Sequence, residues 1–149
     1  MRNKYFFVDE SGDSETSKTK LNRINKGDVE NIDSDSVKIA SLSSTFLNNG
    51  VETPVLLNKK NYDLIKAKHP LFSHDDLIET GKNPTDRFIF EKNGEPIKIN
   101  LIKRNKDGSI FVIGANRFNG YGIITFFDQI DSRRAKNYLE SLKRRGKSF

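Results

Sequence analysis

The sequence predicts an α+β fold: N-terminal helices, then a curved four-stranded antiparallel sheet, then a C-terminal helix. Three observations carry that expectation. Capping residues and helical faces recur between Asn58 and Gly81. Short alternating runs separated by tight-turn dipeptides fill the stretch from Arg87 to Phe127. An amphipathic stripe runs from Ser132 to Arg145. At 149 residues the chain suits one compact domain with an appendage.

The first 53 residues read as a polar arm or linker opened by a short strand, Lys4-Tyr5-Phe6-Phe7-Val8. From Asp9 to Ser36 the chain is Ser, Asp, Lys, Asn and Thr with isolated Leu21, Ile24, Val29 and Ile32. Such a segment buries too little apolar surface to offset the entropy of ordering it. Val37-Lys38-Ile39-Ala40-Ser41-Leu42 alternates with period two, as a strand does. Asn48-Asn49-Gly50 reads as a turn.

The compact part, residues 54–149, opens with helices. Asn58 caps a helix that puts Tyr62, Ile65 and His69 on one face. Pro70 stops it, because the residue before a proline is pushed out of the α region. Ser73 caps a second helix with Asp75 and Asp76 in its first turn, and Gly81 is expected to close it in a left-handed conformation.

Strands follow. Arg87-Phe88-Ile89-Phe90 leads to the tight turn Asn93-Gly94, and 97–103 alternates until the second turn at Asp107-Gly108. Residues 109–115 and 121–127 add two more strands across Asn119-Gly120, giving a meander. In the closing helix Ala135, Tyr138, Leu139 and Leu142 form the apolar stripe.

Composition removes several chemistries. There is no Cys, hence no disulfide, thiolate zinc site or cysteine nucleophile. No run approaches the roughly 18 to 20 apolar residues of a spanning helix, and the N-terminus lacks the pattern of a signal peptide. The formal charge of +6 averages two unlike parts: 7 Lys+Arg against 9 Asp+Glu over residues 1–53, and 19 against 11 over residues 54–149. A polyanion partner therefore belongs to the second part.

His69 is the first candidate for chemistry, since histidine titrates near neutrality without tuning and Lys66 and Lys68 flank it. His74 reads as a solvated residue at a helix start. The spacing of His69, His74, Asp75 and Asp76 matches no familiar metal-ligand pattern. Thr125 puts a hydroxyl in the apolar run Ile123-Ile124-Thr125-Phe126-Phe127, on the face of Ile123 and Phe127. One cationic group, Lys98, Lys103, Arg104, Lys106 and Arg117, is interleaved with Phe88, Phe90, Phe111, Phe118 and Tyr121. Cations beside aromatics suit single-stranded RNA, by phosphate contact and base stacking. The other group, Arg133, Arg134, Lys143, Arg144, Arg145 and Lys147, reads as a solvated helix face and tail.

Two resemblances bear on function. Asp9-Glu10-Ser11-Gly12-Asp13, directly after a strand, resembles the opening of RNase H-like phage and bacterial proteins, which implies a Mg²⁺-dependent nuclease using Asp9, Glu10 and Asp13. A longer likeness rests on His69 with Pro70, Asn83-Pro84-Thr85-Asp86, Lys103, and Gly122-Ile123-Ile124-Thr125-Phe126. In that order of elements the chain resembles the phage-associated branch of the barnase–EndoU–colicin–RelE superfamily, the BECR-fold ribonucleases.

This second resemblance implies a toxin-like endoribonuclease domain over 54–149 that acts without metal or other cofactor. RNA (tRNA or mRNA) would be the substrate and an immunity or antitoxin protein a partner, with no membrane involved. Its site of action would be the cytoplasm, the protein being phage-encoded or delivered into a bacterial cell. The 2′-OH would attack the adjacent phosphorus, leaving a 2′,3′-cyclic phosphate. His69 is the expected base, with Lys66, Lys68, Lys103 and Thr125 around the phosphate. Lys98, Arg104, Arg117, Phe118, Tyr121 and Phe127 are the expected RNA contacts. The rival to catalysis is a phage accessory module that binds RNA or protein on the same basic sheet.

Overall fold

The computed structural model describes residues 6–8, 14–16, 21–22, 36–42, 53–117 and 121–149. The turn expected at 48–50, the Asn119-Gly120 connection, Phe118 and the acidic run Asp9, Glu10 and Asp13 lie outside the described residues.

Strands β1 (Phe6–Val8) and β2 (Ser14–Thr16) form an antiparallel pair of their own. The main sheet contains β3 (Val37–Leu42), β4 (Thr53–Leu57), β5 (Asp86–Lys92), β6 (Glu95–Arg104), β7 (Ile110–Arg117), β8 (Tyr121–Gln129) and β9 (Lys147–Ser148). Helices α1 (Lys59–Lys68) and α2 (His74–Lys82) come between β4 and β5, and α3 (Ser132–Arg145) between β8 and β9. The strand order is β3-β4-β8-β7-β6-β5-β9, all antiparallel except β4 with β8.

The α+β class and the meander β5–β8 agree with the sequence. The expected four-stranded antiparallel sheet does not: the sheet is mixed and has seven strands. Nor do helices open it, since β3 and β4 precede α1. The strand at β4 was obscured by Pro54, which has no N–H to donate. It is tolerated because β4 pairs with β8 only at Val55 and Leu56. β9 has two residues, too few to leave a periodic signal. The division expected at residue 54 falls inside β4, and Val37–Leu42 belongs to the same sheet.

Two cores lie on the two faces of the sheet. Tyr62, Ile65 and Leu77 from α1 and α2 pack with Val37, Ile39, Val55, Leu57, Ile99, Leu101, Ile113, Ile123 and Phe126 on one face, and Leu21 joins them, fully buried. Ala135, Leu139 and Leu142 of α3 pack with Phe88, Ile102, Ile110 and Val112 on the other. Asn93 (φ 54°) and Gly94 (φ 78°) make the tight turn between β5 and β6.

Gly81 does not close α2 in a left-handed conformation. The helix runs on to Lys82 and is capped by Asn83. Gly81 is needed because a Cβ there would stand 2.5 Å from Ile39 Cγ2 and 3.0 Å from the Ile39 carbonyl oxygen. In an exposed helix Gly→Ala gains about 1 kcal/mol. Here Gly81→Ala is expected to lose about 1–3 kcal/mol through overpacking against β3. Urea denaturation reads the sign, and a gain would show that β3 does not sit on α2.

Candidate active site

The site begins where α1 ends. Asn58 accepts a hydrogen bond from the Asn61 N–H at 2.8 Å, which starts the helix. Pro70 ends it by forcing His69 to φ −133°, ψ 70°. The His69 N–H still reaches the Ile65 carbonyl at 2.8 Å, so the residue is fixed while its ring leaves the helix axis. That ring stacks on Phe127, with centroids 6.4 Å apart and planes at 29°. Phe127 is braced from the other side by Tyr138, edge-on at 5.7 Å.

His69 lines a cleft of about 430 Å³ with Lys68, Phe72, Ser73, Asp76 and Asp128. Its aromatic floor is continuous: Phe72 meets Phe126 edge-on at 5.9 Å, and Phe126 stacks on Phe111 at 5.9 Å. Lys66 reaches this wall too, its ammonium 5.9 Å from the centre of the Phe72 ring. Burial, then the neighbouring Asp75 and Asp128 charges, push the Asp76 carboxyl above its ordinary range. A carboxyl raised by burial thus lines the same cleft as a histidine, two groups of the types used in general acid–base chemistry.

The second half of the site lies on the α3 face of the sheet. Asn100, Gly114 and Thr125 are direct neighbours across β6, β7 and β8. A Cβ on Gly114 would stand 2.8 Å from Thr125 Cγ2, 3.3 Å from Asn100 Oδ1 and 3.9 Å from Lys98 Cε, so this glycine opens the row that the other three side chains share. Asn100 is 2% exposed, and among the described residues its amide has no hydrogen-bond partner. An unpaired buried amide costs about 1–3 kcal/mol. Native proteins satisfy such a group with ordered water, an ion or a bound molecule, or keep it at a functional site. Lys98, half-buried, likewise has no carboxylate partner among the described residues.

Thr125 was expected on the face of both Ile123 and Phe127, and the structure corrects this. Gly114 pairs with Thr125 but Ala115 pairs with Ile123, so Ile124 is an extra residue in β8. The bulge sends Ile123 into the α1/α2 core and leaves Thr125 and Phe127 on the α3 face. Phe127 stands about 7 Å along the strand from Thr125, and the His69 ring stacks on Phe127.

The other expected residues are spread more widely. Lys103 is held on α2, 3.1 Å from the Asn83 carbonyl and 3.5 Å from Glu79. Arg104 pairs with Asp86 at 2.8 Å, and Arg117 donates to the Pro96 carbonyl at 3.4 Å. Tyr121 is placed by its backbone opposite Arg117. His74 is not a solvated helix-start residue. Its Nδ1 and the Asn22 side-chain oxygen are 2.8 Å apart and its Nε2 meets the Tyr62 hydroxyl at 2.5 Å. Burial and then Asp63 push that phenol up to about 12. It therefore stays protonated, and His74 ties Asn22 to the helices. Among the described residues no three His, Cys, Asp or Glu side chains converge as metal ligands, and no helix is long and apolar enough to cross a membrane.

No protein-family model matches the chain, and neither a curated protein nor a solved structure matches it. The site therefore stands on its own geometry. Sequence reading overlooked Asn100 and Gly114, although a glycine inside an apolar strand signals the close approach found here. It also overlooked Asp128, and it weighed Asp76 only as a helix-start acid and a metal ligand.

Asp76 supplies a test of the cleft. A carboxyl whose folded value lies above 3.8 costs nothing while protonated and costs stability as pH rises through and beyond that value. Asp76→Asn should therefore gain stability relative to the parent as pH rises above the ordinary value of 3.8, and keep that gain at neutral pH, read by urea denaturation. A difference that does not change with pH contradicts a desolvated carboxyl at this position.

Proposed function

We propose that the protein is a metal-independent endoribonuclease whose active site joins the His69 cleft to the row Lys98, Asn100 and Thr125. The observation that carries this reading is the buried Asn100 amide beside Gly114, which has no partner among the described residues, next to a lysine without a carboxylate partner among them and a threonine hydroxyl. Three donors of this kind suit the non-bridging oxygens of a phosphodiester, and the His69 ring stacks on Phe127, two residues along β8 from Thr125. A cleft of about 430 Å³ with an aromatic floor is of a size for one nucleotide.

In this mechanism His69 takes the proton of the ribose 2′-OH. The 2′-oxygen attacks phosphorus, and the bond to the 5′-oxygen breaks. The Lys98 ammonium, the Asn100 amide and the Thr125 hydroxyl stabilise the charge that builds on the phosphorane oxygens. Water in the open cleft returns a proton to the departing 5′-oxygen. The products are a 2′,3′-cyclic phosphate and a free 5′-OH. Of the lysines expected around the phosphate, Lys68 lines the cleft and Lys66 stands against its Phe72 wall, while Lys103 is committed to Glu79. The basic body, with 19 Lys+Arg against 11 Asp+Glu in residues 54–149, suits an RNA partner. An active enzyme of this kind would also call for an immunity protein where it is made.

The test is incubation with total tRNA and a generic mRNA, with and without EDTA. Cleavage should survive EDTA and leave cyclic phosphate ends visible by mass spectrometry. His69→Ala should lower the rate by about 10²–10⁴-fold, and Thr125→Val or Asn100→Ala by about 10²–10³-fold, with melting temperatures checked for each. EDTA-sensitive cleavage lost in Asp9→Ala would replace this reading with the Mg²⁺ nuclease. Salt-dependent RNA binding without cleavage would leave a binding module.

A further inference from the structure

A second basic surface lies apart from the site, on the exposed face of the last helix that the sequence reads as solvated. Between the β6–β7 turn and α3 runs a trough of about 850 Å³, lined by Arg104, Lys106, Arg133, Lys136, Lys143 and the single acid Glu140. Arg133, Lys136, Glu140 and Lys143 recur at helical spacing, so they form one flank of α3. Tyr138, which braces Phe127, is on the opposite flank, with the buried Ala135, Leu139 and Leu142 between. The helix thus separates the trough from the row of Lys98, Asn100 and Thr125.

Gly108 fixes the far wall. With φ 88° it turns the hairpin so tightly against α3 that a Cβ there would meet Ser132 Cβ at 2.6 Å. The turn is set further by Asp107, which accepts from both the Ser109 N–H at 2.9 Å and the Ser109 hydroxyl at 2.6 Å. The cations on the two walls therefore face a gap of defined width.

Those cations are uncompensated. Arg104 pairs with Asp86, but among the described residues Lys106, Arg133, Lys136 and Lys143 have no carboxylate partner. Lys136 and Glu140, four apart on the helix, make no ion pair. From Arg133 to Lys143 the flank extends about 15 Å, too long for a single phosphate and suited to a chain of them. No aromatic side chain lines the trough, so it offers nothing for bases to stack on.

We infer that this trough binds the phosphate backbone of single-stranded RNA, as an exosite separate from the reacting groups. Glu140 favours RNA over other polyanions. A carboxylate among phosphates is repelled unless it accepts a hydrogen bond, and the ribose 2′-OH is the donor that distinguishes RNA. The concavity favours a strand over a membrane surface. The choice of RNA rests on the proposed ribonuclease reading, whereas the occupancy by a polyanion does not.

The test uses the full chain carrying His69→Ala, so that no substrate is consumed, and a labelled 12-nucleotide RNA followed by fluorescence anisotropy across salt concentrations. Adding Lys136→Gln with Lys143→Gln should weaken binding about tenfold and flatten the log–log salt slope by about 1.4, two contacts at about 0.7 each. Lys60→Gln with Lys92→Gln is the control for total charge and should leave both unchanged. Glu140→Gln should narrow the preference for RNA over the 2′-deoxy oligonucleotide. Equal loss in the Lys60/Lys92 control overturns the exosite. So does a slope unchanged by Lys136→Gln with Lys143→Gln, or binding of those two variants that differs only toward vesicles of anionic phospholipid. A flattened slope in a protein that never cleaves RNA supports the exosite and rejects the ribonuclease reading.

Discussion

The extra residue in β8 is the constraint on which the rest of the structure depends. A strand presents alternate residues to opposite faces, and a one-residue shift exchanges them. With Ile124 inserted opposite the Gly114/Ala115 step, Ile123 and Phe126 both enter the α1/α2 core. Thr125 and Phe127 turn to the α3 side. Without the shift, Thr125 would share the face of the buried Ile123 and the polar row would lose its hydroxyl. β8 also carries the parallel pairing to β4, so the same strand joins the N-terminal strands to the meander and divides the two cores.

How much of this was legible in the sequence depends on whether the signal was local. Asn58, Ser73 and Pro70 act within a turn of themselves, and the structure places the helix ends where they require. Asn93-Gly94 demanded positive φ angles and has them. His69 could be singled out because a helix stop and a titratable ring coincide in neighbouring residues. Pro54 hid β4 because its tolerance depends on how little of that strand pairs with β8. Gly81 misled for a related reason. Glycine near a helix end suggests a left-handed cap, but this one makes room for Ile39, some forty residues away in sequence. The face of Thr125 was misread because a bulge leaves no mark in composition. Asn100 looked like any polar residue in an alternating strand, and only burial by distant segments makes its amide conspicuous.

The same distinction separates the two charged regions. Lys103 and Arg104 adjoin each other and looked alike as cations, yet strand alternation sends one to Glu79 on α2 and the other to Asp86 at the trough edge. Lys98, equally ordinary in sequence, lies alongside Gly114 with no acid to meet it among the described residues. Local charge counts identified a basic body. Which cations are spent within the protein was decided by the register of β6.

Helix α3 is secured at both ends, by Ser132 against Gly108 and by β9 paired to β5, where the Phe149 carbonyl accepts from Arg87 Nε at 3.0 Å. A helix held in this way is a fixed ridge about 10–12 Å across. Anything engaging both of its flanks at once must arch over that ridge. Under the proposed RNA reading, that ridge would act as a minimum-length filter: a very short oligomer would occupy one side alone, and only a longer strand would gain from bridging the two.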